Sequence, residues 1–218
     1  MTAPTSTVYI VDDDPKVCES LSLMVRSLGF NVETYLSGEA FLDSYDTTRK
    51  SPQCMLLDVR MPGISGLGLQ QVLAARGVEV SIIMISGFAD IPMAVQAVTA
   101  GALDFLEKPF NRQTLVSRIK AAIDHDAQRR RQSSRKAELM ARMRSLPTRQ
   151  REVFDRLMAG KHSKQIAGEL GIGEKTVAKH RACVLEKMQV DSVVELVRLF
   201  ADANPTNGIG HASVLQGN

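Results

Sequence analysis

Residues 54–63 have the sequence Cys-Met-Leu-Leu-Asp-Val-Arg-Met-Pro-Gly, an apolar run followed directly by an aspartate and a Pro-Gly turn. A short apolar run bounded by turn residues is typical of a buried strand in a parallel sheet. Open α/β sheets bind their ligands at the carboxyl ends of the strands. We therefore predict that Asp58 ends a buried strand and lies at the mouth of a crevice.

Four other apolar runs in the first 125 residues alternate with segments of helical spacing. This alternation indicates an α/β doubly wound domain with a five-stranded parallel sheet. Asp14, Ser37 and Asp90 are the expected N-caps of three of its helices. The other strands are predicted at 8–11, 32–35, 80–86 and 102–106, and the helices begin near Pro15, Gly38, Ser65, Ile91 and Asn111.

Polar side chains stand at four of the predicted strand ends, namely Asp12 and Asp13, Asp58, Ser86 and Lys108. Three carboxylates at one edge repel each other unless a cation is present. Mg²⁺ suits such a site because it takes few protein carboxylates together with phosphate oxygens. A carboxylate beside Mg²⁺ and an ammonium group can act as nucleophile toward a phosphoryl group. The sequence thus predicts a phosphoryl-acceptor site at this edge.

This half of the chain resembles the flavodoxin-like receiver domain of two-component response regulators. The resemblance implies that a sensor histidine kinase phosphorylates Asp58. It also implies a Mg²⁺ or Mn²⁺ ion held by Asp12, Asp13, Asp58 and the carbonyl group of Arg60. The motifs that carry it are Asp12-Asp13, residues 58–63, Ile85-Ser86-Gly87 and Lys108-Pro109-Phe110.

The same resemblance assigns roles to three further residues. Ser86 would be the switch hydroxyl, Phe105 the switch aromatic, and Lys108 the ligand of the phosphoryl oxygens, with a cis peptide bond before Pro109. An aromatic residue in a strand is as often a core residue, so both roles stay open for Phe105. Phe88, two residues past Ser86, lies where a side chain affects access of water to the phosphoryl group.

The charge of the chain is unevenly distributed. Residues 1–125 contain 10 Lys and Arg against 14 Asp and Glu, whereas residues 126–218 contain 17 against 10. An acidic half followed by a basic half suggests that the second half meets a polyanion. Between the halves, residues 111–144 lack Gly and Pro, which favours one long helix or two helices end to end. Its basic run is interpreted as a solvated face.

The second half has the pattern of a four-helix, all-α helix-turn-helix domain. Helices are predicted at 148–158, from a cap at Ser163 to Leu170, at 174–188, and after a cap at Ser192. Two helices joined by a short Gly-containing turn form a helix-turn-helix, and the second helix enters the major groove of DNA. The expected divisions are a receiver at 1–125, a helical linker at 126–145, the DNA-binding domain at 146–203 and a disordered tail at 204–218.

This half resembles the LuxR-type helix-turn-helix of NarL/FixJ-type regulators. Three positions depart from that family. Pro147 and Gln150 replace the usual capping box, so the first cap is weakened or rebuilt by Thr148. Gly173 stands before the second helix of the pair, where the family often has Ser. The motifs are Leu146, Arg149, Arg151-Glu152-Val153, residues 164–167, Leu170-Gly171-Ile172, Thr176-Val177, His180-Arg181 and Lys187-Met188. The expected DNA contacts are Lys175, Thr176, Ala178, Lys179, His180, Arg181, Ala182 and Lys187.

The cysteines and the lack of targeting segments indicate where in the cell the protein works. The cysteines, Cys18, Cys54 and Cys183, are far apart and lack metal-site spacing, so we expect reduced, buried thiols. No signal peptide and no membrane-spanning run is present in the sequence, which favours the cytoplasm.

The main hypothesis is a transcription regulator that is not an enzyme. Phosphorylation of Asp58 would promote a homodimer that binds double-stranded DNA and acts with RNA polymerase, without contact to a membrane. One alternative is a phosphohydrolase in which Asp12, in a D-x-D pattern with Asp14, is the nucleophile. Another is a DNA-binding protein whose receiver serves only as a scaffold.

Overall fold

A computed structural model describes residues 6–87 and 91–203 of the chain. The predictions for Phe88, for the cap Asp90 and for the tail at 204–218 lie outside the described residues. Contacts between residues divide the chain after Arg131 into two compact units. No helix in the described part of the chain is both long enough and apolar enough to cross a membrane.

The first unit contains a parallel five-stranded sheet with the strand order β2-β1-β3-β4-β5. Helices cover both faces, which confirms the predicted doubly wound fold. The strands are β1 (Thr7–Val11), β2 (Asn31–Tyr35), β3 (Gln53–Asp58), β4 (Ser81–Ser86) and β5 (Asp104–Glu107). The helices are α1 (Pro15–Arg26), α2 (Gly38–Ser44), α3 (Gly66–Ala75), α4 (Ile91–Thr99) and α5 (Arg112–Arg144).

The sheet separates two hydrophobic cores, because successive side chains of a strand point to opposite faces. Val8 and Ile10 of β1 join one core, which includes Leu115 and Ile119 of α5. Tyr9 and the other alternate residues join a second core, which includes residues of α2, α3 and α4. All residues of β1, β3 and β4 are buried, as expected for central strands covered on both faces.

The helix starts follow the predicted caps. The Asp14 side chain accepts a hydrogen bond from the Lys16 N–H at 2.9 Å, and the Ser37 hydroxyl accepts one from the Ala40 N–H at 3.1 Å. The fifth strand begins two residues later than predicted. The Ala102 N–H donates to the Ala97 carbonyl at the end of α4, so Ala102 belongs to the turn.

The second unit contains the last turns of α5 followed by α6 (Thr148–Met158), α7 (Ser163–Leu170), α8 (Glu174–Met188) and α9 (Val193–Ala203). This order confirms the predicted four-helix domain, and α5 is one continuous helix. Leu139 of α5 is only 4% exposed and belongs to the core formed by residues of α6, α8 and α9.

Two helix starts in the second unit differ from simple side-chain caps. The cap assigned to Ser163 is wrong by one residue, because Ser163 is already helical and His162 holds the cap position. There the Gln165 side chain reaches back and accepts a hydrogen bond from the His162 N–H at 2.9 Å. At α6 the cap residue is Pro147, which makes no side-chain hydrogen bond, and Thr148 is already the first helical residue.

Candidate functional site

The register of the sheet brings the carboxyl ends of four strands to one edge. Val11 of β1 is the partner of Leu57, Asp58 of β3 is the partner of Ile85, and Ser86 of β4 is the partner of Glu107. Asp12 follows β1 directly, and Lys108 follows β5 directly. The strand-end residues predicted from sequence therefore lie along a single edge.

Lys108 joins the two buried carboxylates at this edge. Its Nζ atom lies 2.7 Å from Asp12 Oδ2 and 2.8 Å from Asp58 Oδ1. Asp12 is 4% exposed and Asp58 is 8% exposed, so water screens these contacts poorly. The second oxygen of Asp58 accepts a hydrogen bond from the Arg60 N–H at 2.7 Å. Both oxygens of Asp58 are thus held in place.

Burial and ion pairing act against each other on these groups. Burial raises the pKa of Asp58 above its ordinary value, although the hydrogen bonds from Lys108 and Arg60 lower it in part. Burial lowers the pKa of Lys108, but its bonds to Asp12 and Asp58 outweigh this effect, and the pKa is raised. Lys108 therefore stays an ammonium, and one negative charge of the two carboxylates remains unbalanced.

The backbone around Asp58 is shaped by residues that the sequence reasoning did not select. A Cβ atom at Gly66, the first residue of α3, would lie 2.2 Å from the Asp58 carbonyl oxygen, so only glycine fits there. The Glu39 carboxylate accepts a hydrogen bond from the Ile64 N–H at 2.9 Å and holds the loop after β3. The signal that could have identified Gly66 is a glycine that follows the helix cap Ser65.

The other residues predicted for the site lie outside the direct contact of Lys108 with the two buried carboxylates. Ser86 is 2% exposed, and its carbonyl accepts a hydrogen bond from the Lys108 N–H at 2.7 Å. The peptide bond before Pro109 is cis, as predicted. Phe105 is half-buried against the second core. Asp13 is exposed and is not part of the contact between Asp12, Asp58 and Lys108.

The donor set suits a hard divalent cation by its chemistry, because oxygen ligands with a surplus negative charge are what Mg²⁺ prefers. Asp12 and Asp58 already meet one cation, the Lys108 ammonium, and Asp13, the next residue in the sequence after Asp12, has an exposed carboxylate. Among the described residues, however, no group of three or more His, Cys, Asp or Glu side chains is arranged as a metal site. The structure shows a direct contact between the carboxylates of Asp12 and Asp58 and the ammonium of Lys108.

The second unit presents a basic helix. Val177, Val184 and Met188 anchor α8 in the domain, whereas His180 is half-buried. Within the described ranges, no ion pair involves the cations of α8. The exposed residues among the predicted DNA contacts are Lys175, Thr176, Ala178, Lys179, Arg181, Ala182 and Lys187.

The cations of α6 are used within the domain. Arg149 pairs with Glu152, and Arg151 pairs with Asp155. Arg156 and Lys161 both donate to Glu169 of α7, and the hydrogen bond from Lys161 is the main cause of the lowered pKa of Glu169. The cations of α6 thus have acidic partners within the domain, whereas the ion pairs of the described residues include none of the cations of α8.

Comparisons with known families agree with both halves of this description. Residues 8–120 match the response regulator receiver domain, and residues 144–200 match the bacterial regulatory proteins of the luxR family. A sheet with this acidic edge, joined to a helix-turn-helix, is the architecture of a DNA-binding response regulator. The chain belongs to this family: it is a two-component response regulator transcription factor with a receiver domain and a LuxR-type DNA-binding domain.

Full-length relatives support this assignment. The chain is 44% identical over 199 residues to the response regulator TodT of Pseudomonas putida F1, covering 91% of this chain and 87% of TodT. It is 41% identical over 207 residues to FixJ of Azorhizobium caulinodans, covering 91% of this chain and 97% of FixJ. The family consists of transcriptional regulators and not of enzymes, so the phosphohydrolase alternative is wrong.

Solved structures agree as well. The response regulator StyR matches with a TM-score of 0.80 and 40% identity, covering 90% of this chain and 98% of StyR. Full-length FixJ from B. japonicum matches with a TM-score of 0.56 and 36% identity, covering 94% and 100% of the two chains. The likeness therefore includes both the receiver and the DNA-binding domain.

Proposed function

We propose that Asp58 accepts a phosphoryl group from a sensor histidine kinase and that the modified receiver controls DNA binding. A receiver domain implies a sensor kinase as partner, and a LuxR-type domain implies DNA. The observation that carries the proposal is the contact of Lys108 with Asp58 and Asp12 at the carboxyl edge of the sheet. An Asp58 oxygen would attack phosphorus, and the bond from phosphorus to the kinase histidine would break.

Lys108 has a defined role in this step. Its ammonium lies 2.8 Å from Asp58 Oδ1. From this position it can donate a hydrogen bond to an oxygen of the transferred phosphoryl group and neutralise part of its charge. Receiver domains generally bind Mg²⁺ at their acidic site. We propose Asp12, Asp13, Asp58 and the Arg60 carbonyl as its ligands here, with Mn²⁺ as a substitute. When bound, the ion would supply the remaining positive charge.

The phosphorylated state would favour a second packing of the receiver. The hydroxyl of Ser86 would move toward the new phosphoryl group, and Phe105, which is only half-buried, would repack. Phe105 lies on β5, which contacts α4, and on α4 Ile91 is 81% exposed and Val95 and Val98 are also exposed. We propose that this apolar surface, altered by phosphorylation, forms a homodimer.

A receiver dimer would bring two copies of the DNA-binding domain to paired half-sites of double-stranded DNA. The second domain would then bind with a high effective concentration. The N-terminal turns of α8 would read base edges through Lys175, Thr176, Ala178 and Lys179. The proposed contacts with phosphates are His180, Arg181 and Lys187. Ala182, on the outer face of α8, can contribute only its methyl group.

The wider setting follows from the DNA partner. A regulator of bacterial transcription works in the cytoplasm, and RNA polymerase is its proposed further partner. We propose a receiver domain at 1–125, a linker at 126–145 and a DNA-binding domain at 146–203. Contacts between residues divide the chain into two units after Arg131, within the proposed linker.

The test is the intact mass of the protein after incubation with Mg²⁺ and acetyl phosphate, for wild type and for Asp58→Asn. We expect one added phosphoryl group on wild type and none on the variant. Operator-length DNA should then bind more tightly to the phosphorylated protein. No added mass on wild type would contradict phosphorylation of Asp58 and favour a receiver that serves as a scaffold.

A further inference from the structure

A buried carboxylate lies at the edge of the sheet opposite to Asp58. The side chain of Asp126, on α5, is 0% exposed, and its Oδ2 atom accepts a hydrogen bond from the Gln53 N–H at 2.8 Å. The same carboxylate pairs with Arg129 and, at 2.5 Å, with Arg130. An ionised carboxylate removed from water needs such partners. These bonds therefore hold this part of α5 against the base of the sheet.

The two arginines extend these contacts to the loops that enter two strands. Arg130 Nη1 donates to the Arg49 carbonyl at 3.0 Å, in the loop before β3. Arg129 donates to the carbonyl of Glu79, in the loop before β4, and its Nε atom lies 3.4 Å from the Glu79 carboxylate. We call Asp126, Arg129 and Arg130 the α5 latch.

The strands at the latch are the two strands that carry Asp58 and Ser86. β3 begins at Gln53, which is bonded to Asp126, and ends at Asp58. β4 begins at Ser81, whose hydroxyl lies 3.2 Å from Nδ1 of His125, and ends at Ser86. Both strands are buried along their full length and are paired on both sides. Because close-packed interiors transmit displacement, a shift at one end of such a strand reaches the other.

The three residues of the α5 latch lie outside both family matches, which cover residues 8–120 and 144–200. We propose that Asp126 is a positioning residue and that the α5 latch responds to phosphorylation of Asp58 through β3 and β4. This inference rests on the proposed function. The phosphoryl group on Asp58, at the end of β3, and the repacking of Ser86, at the end of β4, would displace the two strands, which would weaken the contacts of Gln53 with Asp126 and of Ser81 with His125. The latch therefore loosens in the phosphorylated protein.

Hydrogen exchange of the full chain tests this inference. Amide hydrogens at 125–131 are measured with Mg²⁺ alone and with Mg²⁺ and acetyl phosphate, and intact mass is recorded on the same samples. We expect exchange to become about fivefold faster with acetyl phosphate in wild type. No change is expected in Asp58→Asn. Unchanged or slower exchange in protein that has gained a phosphoryl group would overturn the latch, while the proposed function would stand.

Variants on α5 separate a response from simple support of the fold. Asp126→Asn should exchange fast at 125–131 with and without acetyl phosphate, while it still gains the phosphoryl group. Asp124→Asn, an exposed residue on the same helix, makes the same charge change and should behave like wild type. If Asp126→Asn kept the wild-type difference, the latch would be refuted. If Asp126→Asn does not fold, the comparison of wild type with Asp58→Asn decides alone. Absence of added mass in wild type would contradict the proposed function and this inference together.

Discussion

Lys108 determines the charge balance of the receiver site. Its ammonium contacts Asp12 and Asp58 at 2.7 and 2.8 Å, and both carboxylates are buried. A metal ion that binds these carboxylates must share them with Lys108 or displace it. Under the proposed function, the lysine would compete with the metal for these carboxylates before phosphorylation and would contact the phosphoryl group afterwards.

Removal of Lys108 should therefore tighten binding of Mg²⁺. We expect Lys108→Ala to raise the Mg²⁺ affinity roughly tenfold, about 1.4 kcal/mol, because the carboxylates lose a competing cation. Isothermal titration calorimetry measures this change. Lys120→Ala, which removes an exposed lysine of α5, should leave the affinity unchanged. Equal or weaker binding by Lys108→Ala would show that Lys108 does not compete.

Asp58 should cost the folded protein stability at neutral pH when no metal is bound. Its raised pKa means that the folded state holds the proton more tightly, so stability falls as the pH rises through that pKa. Asp58→Asn should raise the Tm by about 3 °C at pH 8. The gain should shrink as the pH falls toward the ordinary carboxyl value of 3.8. Thermal scans in chelator would refute this reasoning if the gain were the same at pH 4.5 and pH 8.

Gly66 should tolerate no side chain. Because its Cβ atom would lie 2.2 Å from the Asp58 carbonyl oxygen, Gly66→Ala must shift the backbone of the acceptor. We expect a loss of about 2–3 kcal/mol in the free energy of unfolding, measured by urea titration, and slower uptake of phosphoryl groups. Gly168→Ala places a Cβ in open space within α7 and should be neutral or stabilising.

Much of the site could be predicted because strand ends are visible in the sequence. Apolar runs that stop at Asp12, Asp58, Ser86 and Lys108 define one edge once the sheet is known to be parallel. Asp126 could not be found this way, because in the sequence of this basic helix it cannot be distinguished from Asp124, which is exposed. Its burial depends on Gln53, a residue 73 positions away in the sequence.

The same limit applies to the ends of helices. Asp14 and Ser37 were predictable as caps because each bonds to a backbone group two or three residues away. The assignment of Ser163 is wrong because, at the start of α7, the His162 N–H donates to the Gln165 side chain and no serine takes part. Several neighbouring residues can form the hydrogen bond that starts a helix, and the packing of the whole domain determines which of them does so.

Among the helices, α8 differs from α6 in how its cations are used. Lys179 has no ion pair in the described part of the chain, whereas Arg149 of α6 is 2.8 Å from Glu152. A cation without an internal partner can neutralise a DNA phosphate and release a counterion. The two helices are therefore expected to contribute differently to the salt dependence of DNA binding.

Lys179→Ala should weaken DNA binding and lower the salt slope, the change of log K with log salt concentration, by about 1. Titrations of labelled DNA by fluorescence anisotropy at several salt concentrations measure this slope. Arg149→Ala removes a paired cation and should leave the slope nearly unchanged. The assignment of α8 would be wrong if Arg149→Ala had the larger effect.

In the whole molecule, the contacts form two units, so ligands of one unit should stabilise that unit. Mg²⁺ at about 100 times its Kd should stabilise the first unit by about 2.7 kcal/mol. We expect differential scanning calorimetry to show a shift in the transition of the first unit alone, with hydrogen exchange assigning the transitions. Asp58→Asn should reduce this shift. A shift of equal size in the second unit would indicate that the two unfold as one.

Eight successive residues of α5, at 131–138, are exposed. They lie between the pairing of Arg130 with Asp126 and the burial of Leu139 in the DNA-binding core. A fusion that joins this receiver to another DNA-binding domain, or the reverse, keeps packed partners together only if its junction lies among these exposed residues. In this chain the permitted window is short. A fusion joined before residue 131 would replace the α5 residues that contact the start of β3. A fusion joined after residue 138 would remove Leu139 from the core of the DNA-binding domain.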